Sequence, residues 1–498
     1  MIPHYPLYIS GGFIETADKQ EIINPCSGEA IATVPVADKK EVELAIVSAR
    51  QAYDIGAWRN ISFAERKNFL FKISQGILKK AGELANLESL NTGKHIKETT
   101  FMDIPSSAAT FEYFANNFER YLKEESIEIQ AQIAQAQSKL IREPQGVVVL
   151  IVPWNYPLLI ASWKIAQSLA AGNTVILKPS SLTPLTVLEL GKIIAQAELP
   201  KGVVNIISGM GEAIGEQLCS DSRVDMISFT GSNSVGKKIL EYSSKNVKKT
   251  IMELGGKSAS IVLAEADLEL AVNGSLCSIF LNQGQMCTAM SRIFVQDSIY
   301  ESFIADFVKK SQRIKLGDSL NFETQMGPLV SKQQRNKVLE FVEKAKKEDA
   351  KLLCGGKIPN GSALKKGFFF EPTVLVDVSP QAEIFKEEVF GPVACISKFS
   401  SLKEATDLAN NSDFALAAAI WTKDTAKAEG IAKEINAGTV WINTYGMFFN
   451  ELPYGGFKQS GFGKELGKVG FLEYTRLKNV VTDCTRNAKP LVNYWYGF

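Results

Sequence analysis

Gly146-Val147-Val148-Val149-Leu150-Ile151-Val152-Pro153-Trp154-Asn155-Tyr156-Pro157 opens on six consecutive apolar residues, Val147 to Val152, and closes on a proline-bounded turn. Such a run reads as a strand buried on both faces, because a strand with one wet face would alternate. The chain after it repeats the theme. Residues 158–171 predict a helix, 174–178 a second strand, 184–196 a second helix and 203–208 a third strand, with a short helix from Glu212. Residues 225–231 give a fourth strand, a helix starts at Ser234, and 248–254 give a fifth strand. Strands alternating with helices imply right-handed crossovers and a parallel, doubly wound sheet. Such sheets bind ligands beyond the carboxyl ends of their strands.

Past Gly255-Gly256 the alternation resumes. Strands are expected at 260–265, 292–296 and 439–444, and helices at 301–315, 334–348 and 425–435, which makes a second α/β domain. Towards the N-terminus, small strands and turns punctuated by Pro25 and Gly28 precede a helix opened by Asp38. Glu41 stands three residues on and completes a capping box. Val42, Ala45, Ile46, Ala49 and Tyr53 recur at helical spacing and form its buried face. Residues 64–90 read as helical as well. Near 126–132 the period drops to two, with Ile127, Ile129, Ala131 and Ile133 alternating with Glu128, Gln130 and Gln132. That pattern is a strand with one wet face, and its position between helical stretches suggests an arm rather than core sheet.

Composition narrows the function. The 498 residues hold 55 Lys and Arg against 54 Asp and Glu, a net charge of +1, so neither nucleic acid nor an anionic membrane is an expected partner. The longest apolar run is far short of the roughly 20 residues that cross a bilayer. Met1 to Phe13 has neither a basic start nor a long apolar segment, and the seven cysteines are odd in number with no CxxC. A cytoplasmic location is therefore expected. The two histidines are His4 and His95. One interior imidazole makes a Ser-His-Asp or Cys-His site, or a His-rich metal site, a poor expectation, and no metal is predicted.

Three residues could carry chemistry. Cys287 follows Asn282-Gln283-Gly284-Gln285-Met286, where Gly284 marks a sharp turn or a close backbone approach. Glu253 ends the fifth strand, and Asn155 follows the first. Taken singly, each has a plainer reading that carries more weight: a buried structural cysteine, a solvated loop glutamate, a turn asparagine. The functional readings are a thiolate nucleophile, a general base replacing the scarce histidine, and an amide donor to an oxyanion. Two glycine-containing turns, Gly209-Met210-Gly211 and Thr230-Gly231-Ser232, lead from strands into helices and favour a phosphate-bearing ligand.

Taken together, the blocks resemble the aldehyde dehydrogenase superfamily in its non-acylating branch, close to betaine-aldehyde and aminoaldehyde members. The resemblance runs from Asn24-Pro25 to the C-terminus. It rests on Pro153-Trp154-Asn155-Tyr156-Pro157, Lys178-Pro179-Ser180-Ser181, Phe229-Thr230-Gly231-Ser232, Glu253-Leu254-Gly255-Gly256-Lys257, Gln283-Gly284-Gln285-Met286-Cys287, Glu387-Glu388-Val389-Phe390-Gly391-Pro392 and Pro453-Tyr454-Gly455-Gly456 continuing to Gly461. It implies two doubly wound α/β domains, one Rossmann-like, plus a small β oligomerisation arm. The dinucleotide-binding domain would be 1–123 with 145–255, the catalytic domain 256–474, and the arm 124–144 with 475–498, including Trp495 and Tyr496. The assembly would be a homodimer or homotetramer.

The resemblance also implies roles. Cys287 attacks the aldehyde, Asn155 and the Cys287 N–H hold the oxyanion, and Glu253 activates water to hydrolyse the thioester. Lys164 and Glu465 match positions proposed to relay the proton. NAD or NADP would meet Val152, Trp154, Lys178, Ser181, Gly211, Phe229, Gly231, Ser232, Leu254, Glu388 and Phe390. Tyr156, Trp163, Tyr445, Phe448, Glu451 and Tyr454 match or neighbour the aldehyde tunnel. An aromatic box suits a quaternary ammonium or amine, and equally an aliphatic or aromatic aldehyde. Semialdehydes stay open too. An acylating relative is disfavoured by Glu253, and a non-enzymatic relative by the presence of both Cys287 and Glu253. Ser181 stands where many NAD-preferring members carry Glu, so NADP is expected to serve at least comparably with NAD.

Overall fold

The computed structural model describes residues 2–56, 58–130, 135–361, 364–484 and 495–497. An eight-stranded sheet runs in the order Gly12–Ile14, Leu7–Ile9, Val204–Ile206, Thr174–Lys178, Val147–Ile151, Met226–Thr230, Lys249–Glu253, Gly461–Phe462. The five middle strands are parallel, as the continuous apolar runs predict. Val147, Val148, Val149 and Leu150 are completely buried. From Val147–Ile151 the chain steps outward twice, then returns to lay Met226–Thr230 on the other side. The strand order therefore reverses beside Val147–Ile151. The carboxyl ends at that reversal carry Val152 to Asn155 and Thr230 to Ser232, where a ligand crevice is expected.

Both edges hold additions that local pattern did not reveal. The N-terminal hairpin pairs antiparallel with Val204–Ile206 through Tyr8 and Ile206. Gly461–Phe462 pairs antiparallel with Lys249–Glu253. This last pairing ties the C-terminal third of the chain to the strand that carries Glu253.

A seven-stranded sheet follows, ordered Lys351–Cys354, Thr373–Val376, Val393–Phe399, Arg292–Gln296, Ala259–Val262, Ala417–Trp421, Thr439–Ile442. Only Lys351–Cys354 is antiparallel to its neighbour. A third sheet joins Glu125–Gln130, Gln135–Pro144 and Thr475–Asp483, all antiparallel. Ile127, Ile129, Leu477, Val480 and Val481 stand exposed on it. The expected alternation at Ala131, Gln132 and Ile133 lies outside the described residues, as does most of the tail after Cys484.

Helices follow their sequence signals. Asp38 accepts from Lys40 N at 2.6 Å while Glu41 accepts from Asp38 N at 2.8 Å, the expected capping box at Lys39–Asp54. The stretch 64–90 is two helices, Phe63–Lys79 and Ala81–Thr92, broken at Lys80. Pro157–Ala171 starts on the turn proline and is buried along almost its whole length. It carries Trp163 and Lys164 beneath the crevice. All seven cysteines are free, and no helix among the described residues is long and apolar enough to cross a membrane.

Candidate active site

Cys287 follows a short turn, Leu281–Gly284, whose Asn282, Gln283 and Gly284 have φ of 46°, 56° and 71°. Left-handed backbone at two non-glycine residues costs of order 1 kcal/mol or more each and persists only when the surroundings hold it. Gly284 admits no side chain, since a Cβ would stand 2.1 Å from the Gly391 carbonyl oxygen. The turn is tied in place from three directions. Asn282 Nδ2 donates to the Asn155 carbonyl at 3.2 Å, Asn155 Nδ2 donates to the Gln285 carbonyl at 2.8 Å, and Val330 N donates to Gln285 Oε1 at 2.9 Å. The sequence expected Asn155 and Cys287 to work together, and the structure bonds their two loops directly.

A fourth tie was not foreseen. Glu98, buried, accepts from Tyr156 OH at 2.6 Å through one oxygen and from Asn282 N at 3.3 Å through the other. It sits in a buried cluster in which Lys94 pairs with Asp103 and with Glu88, and the Lys94 ammonium lies 4.1 Å from the Tyr156 ring centre. Only the Lys94 and Glu98 charges in an otherwise polar stretch hinted at this, and exposed charges look the same in sequence.

Glu253 occupies the end of its strand, and both carboxylate oxygens are buried without a hydrogen-bond partner. Gly455, at φ +142°, leaves room for it, because a Cβ there would stand 2.4 Å from Oε1. Burial pushes the Glu253 carboxyl well above its ordinary range; the nearby Glu465 charge adds to this, and Lys164 and Lys464 oppose it. Behind it lies a fully partnered group. Glu465 accepts from Lys164 at 2.6 Å, Ser228 at 2.8 Å, Gln167 at 2.8 Å and Tyr474 at 3.1 Å. Burial also pushes the Cys287 thiol up, to about 12, although its hydrogen bond with Tyr454 at 3.1 Å pulls the other way.

These groups line one cavity, with Asn155, Lys164, Glu253, Cys287 and Glu465 among its walls. Its apolar walls include Tyr156, Trp163, Phe448 and Tyr454. Trp163 and Tyr454 meet edge to face at 5.6 Å, and Phe448 and Tyr454 at 5.5 Å. Tyr445 stands one layer back, its hydroxyl 3.1 Å from Thr288 Oγ1. Glu451 is exposed and is not among the cavity walls. The structure thus assembles four of the six proposed substrate residues and leaves Glu451 outside.

The proposed cofactor residues gather at the carboxyl ends of the first sheet. Val152 and Phe229 are buried there, Ser232 caps Asn233–Ser243, and Gly211 starts Gly211–Ser220 in the open. Trp154 and Phe390 meet edge to face at 5.1 Å, and buried Leu254 lies against Gly236 of Asn233–Ser243. Gly256 N donates to Glu388 at 2.8 Å. Gly231 and half-buried Ser181 sit at the ends of their strands. Lys178 is the informative member. Its ammonium is buried, with one long contact to the Pro179 carbonyl at 3.4 Å, and burial lowers it to about 8. A buried ammonium with so little satisfaction suits ribose hydroxyls or a phosphate.

The doubly wound parallel sheet thus opens its crevice beside a thiol, a carboxylate without a hydrogen-bond partner and a side-chain amide, the groups of a candidate carbonyl-handling enzyme site. Comparison with known proteins narrows the class. The aldehyde dehydrogenase family model matches residues 13–480, and the chain belongs to that family. It is 45% identical over 493 residues to a betaine aldehyde dehydrogenase of Bacillus subtilis (strain 168), covering 99% of each chain. It is 41% identical over 461 residues to retinal dehydrogenase 2 of Homo sapiens, covering 92% of this chain and 88% of that one. A betaine aldehyde dehydrogenase of Staphylococcus aureus, solved in complex with NAD+, superposes with a TM-score of 0.94 at 40% identity, covering 98% and 96%.

Proposed function

We propose that this protein oxidises an aldehyde to the carboxylic acid with NAD+ or NADP+ and water, through a thiohemiacetal and then a thioester on Cys287. One observation carries the reading: Cys287, Asn155 and an unpartnered Glu253 share the walls of a single cavity. Cys287 Sγ bonds to the aldehyde carbon, and the carbonyl electron pair moves to oxygen. Asn155 and the Cys287 N–H receive that oxyanion, a contribution of roughly 3–4 kcal/mol per donor in related acyl chemistry. Lys178, Glu388, Phe390 and the turns at Gly211 and Gly231 would hold a dinucleotide, which when bound would accept the hydride lost from the thiohemiacetal carbon as the thioester forms. Tethering the substrate to Cys287 fixes the donor carbon, a proximity effect. Glu253 then removes a proton from water, which attacks the thioester, and the thiol is released. Lys164 and Glu465 stand behind Glu253 to pass that proton on.

The unpartnered state of Glu253 fits a base. A carboxylate already holding strong donors would be too weakly basic, whereas burial here raises its proton affinity. The test is Cys287→Ala. Aldehyde-dependent reduction of cofactor should vanish while cofactor binding stays measurable, and retained turnover would sink the assignment.

For substrate we favour betaine aldehyde or an aminoaldehyde. Edge-to-face Trp163, Phe448 and Tyr454 beside Tyr156 make an aromatic enclosure, which attracts a cation by about 0.5–2 kcal/mol per ring. No arginine lines the cavity among the described residues, which disfavours a carboxylate-bearing semialdehyde. The same walls accept neutral aliphatic or aromatic aldehydes, and the likeness to retinal dehydrogenase 2 is of similar strength. A panel of cationic and neutral aldehydes of matched size decides between them. The exposed apolar face of the three-stranded arm fits a homodimer or homotetramer, working in the cytoplasm, with the catalytic domain at 256–474 set against the dinucleotide-binding domain.

A further inference from the structure

We propose that Tyr454 is a catalytic residue: its hydroxyl is the fixed donor that stabilises the Cys287 sulfur as it becomes the nucleophile. The proposal rests on Cys287 being that nucleophile and gives Tyr454 a role beyond forming a cavity wall. The hydroxyl lies 3.1 Å from Cys287 Sγ and makes no other hydrogen bond among the described residues. Its position is not free to drift. Tyr454 N donates to the Glu465 carbonyl at 2.7 Å, Glu465 N donates back at 2.8 Å, and Trp163 and Phe448 hold the ring edge to face. The ring is buried, with 8% of its surface exposed.

The direction of the bond decides its role. A neutral thiol and a phenol can each donate to the other, so the resting contact has no preferred polarity. A thiolate can only accept. When the S–H bond breaks, its proton passes to water in the cavity, Tyr454 keeps its own proton, and the contact becomes a charge-assisted hydrogen bond. The S–C bond then forms with the aldehyde carbon, and the carbonyl pair goes to oxygen. The sulfur loses its charge in the thiohemiacetal and the thioester, so the donor favours the attacking state over the states that follow. Burial and the charges of Cys287 and Glu253 keep the phenol itself well above its ordinary range, so it stays protonated throughout. Asn155 does not substitute for it, because one amide hydrogen is held by the Gln285 carbonyl and the other is the one proposed for the carbonyl oxygen.

The test is the pH dependence of Cys287 alkylation by iodoacetamide, resolved by peptide mass, in wild type and Tyr454→Phe. The phenylalanine keeps the ring and its neighbours. Loss of the donor should slow alkylation at pH 8 about tenfold, the thiolate fraction lost when the thiol rises by about one pH unit. The pre-steady-state burst of reduced cofactor should slow by a similar factor, while the KM for the dinucleotide stays unchanged. Superimposable alkylation profiles and equal bursts would overturn the proposal. If Tyr454→Phe fails to fold, 3-fluorotyrosine at position 454 replaces it: a more acidic donor should speed alkylation at pH 8, and an equal or slower rate would refute the idea. Wild-type protein that alkylates as expected but oxidises no aldehyde would instead remove the functional reading and leave the Tyr454 contact standing.

Discussion

Replacing Glu98 by glutamine tests whether the oxyanion site is held from beneath. Glu98 accepts two buried donors, Tyr156 OH at 2.6 Å and Asn282 N at 3.3 Å, one on each oxygen. Glutamine offers one acceptor and one NH2 group. If its oxygen keeps Tyr156, its NH2 confronts the Asn282 N–H, donor against donor. A buried donor stripped of a charged acceptor costs about 1.5–3 kcal/mol. Asn282 sits in the strained left-handed turn that leads to Cys287, and its side chain also bonds the Asn155 carbonyl. The cost therefore falls on both oxyanion donors at once. A misaligned donor loses up to about 3–4 kcal/mol of transition-state stabilisation. We expect the burst of reduced cofactor to slow about 10- to 100-fold, with the KM for the dinucleotide unchanged, since Glu98 bonds Tyr156 and Asn282 and none of the proposed cofactor residues. Tyr156→Phe should remove part of the same effect, so the double variant should be less impaired than the product of the two singles. A burst within threefold of wild type, in protein of normal melting temperature, would refute the positioning role.

Glu253→Gln should leave the burst nearly intact and slow the steady state by about 10²-fold, typical of losing a general base; stopped-flow absorbance of reduced cofactor separates the phases, and loss of the burst itself would give Glu253 the thiol as its proton source. Burial holds the Glu388 carboxyl up at about 7, against the pull of the Gly256 N–H, so it loses its charge as pH falls through that value. The KM for the dinucleotide should rise on the acid side of pH 7 and level off above pH 8, and Glu388→Gln should flatten the profile. Ser181→Glu should turn preference towards NAD, because a carboxylate facing a 2′-phosphate is costly. Wild-type kcat/KM favouring NAD by more than a hundredfold would remove the premise.

What sequence could and could not reveal divides along physical lines. The parallel strands from Val147 to Glu253 were legible because burial on both faces leaves a continuous apolar signature. Ala417–Trp421 was not, since Ala417, Ala418 and Ala419 carry no strand preference and gain it only from their place between two neighbours. The antiparallel edges were hidden for another reason: Tyr8 with Ile206, and Met252 with Phe462, are paired across roughly two hundred residues of chain, and a three-residue or two-residue strand has no period to read. At the site, Cys287, Glu253 and Asn155 were found as members of motif blocks. Glu98 was missed because its partners, Tyr156 and the Asn282 amide, come from two other segments.

One cavity gives its two carboxylates, Glu253 and Glu465, very different hydrogen-bond shells. Both are buried. Glu465 accepts four separate donors, one of them the Lys164 ammonium at 2.6 Å, and that ammonium is also bonded to Ser228 at 2.7 Å. Among the described residues Glu253 has no donor, so burial and then the nearby Glu465 charge raise its proton affinity. A Glu253 carboxylate would therefore take a proton from water readily, before Lys164 and Glu465 pass it on. Weakening the shell of Glu465 should then reach Glu253 at a distance. Tyr474→Phe removes one donor without touching the cavity wall, leaving the Glu465 carboxylate freer to draw away from Glu253. The repulsion that raises Glu253 falls, and the inflection of thioester hydrolysis should move to lower pH. An unchanged inflection would mean that burial alone sets the base and that the donors around Glu465 serve only packing.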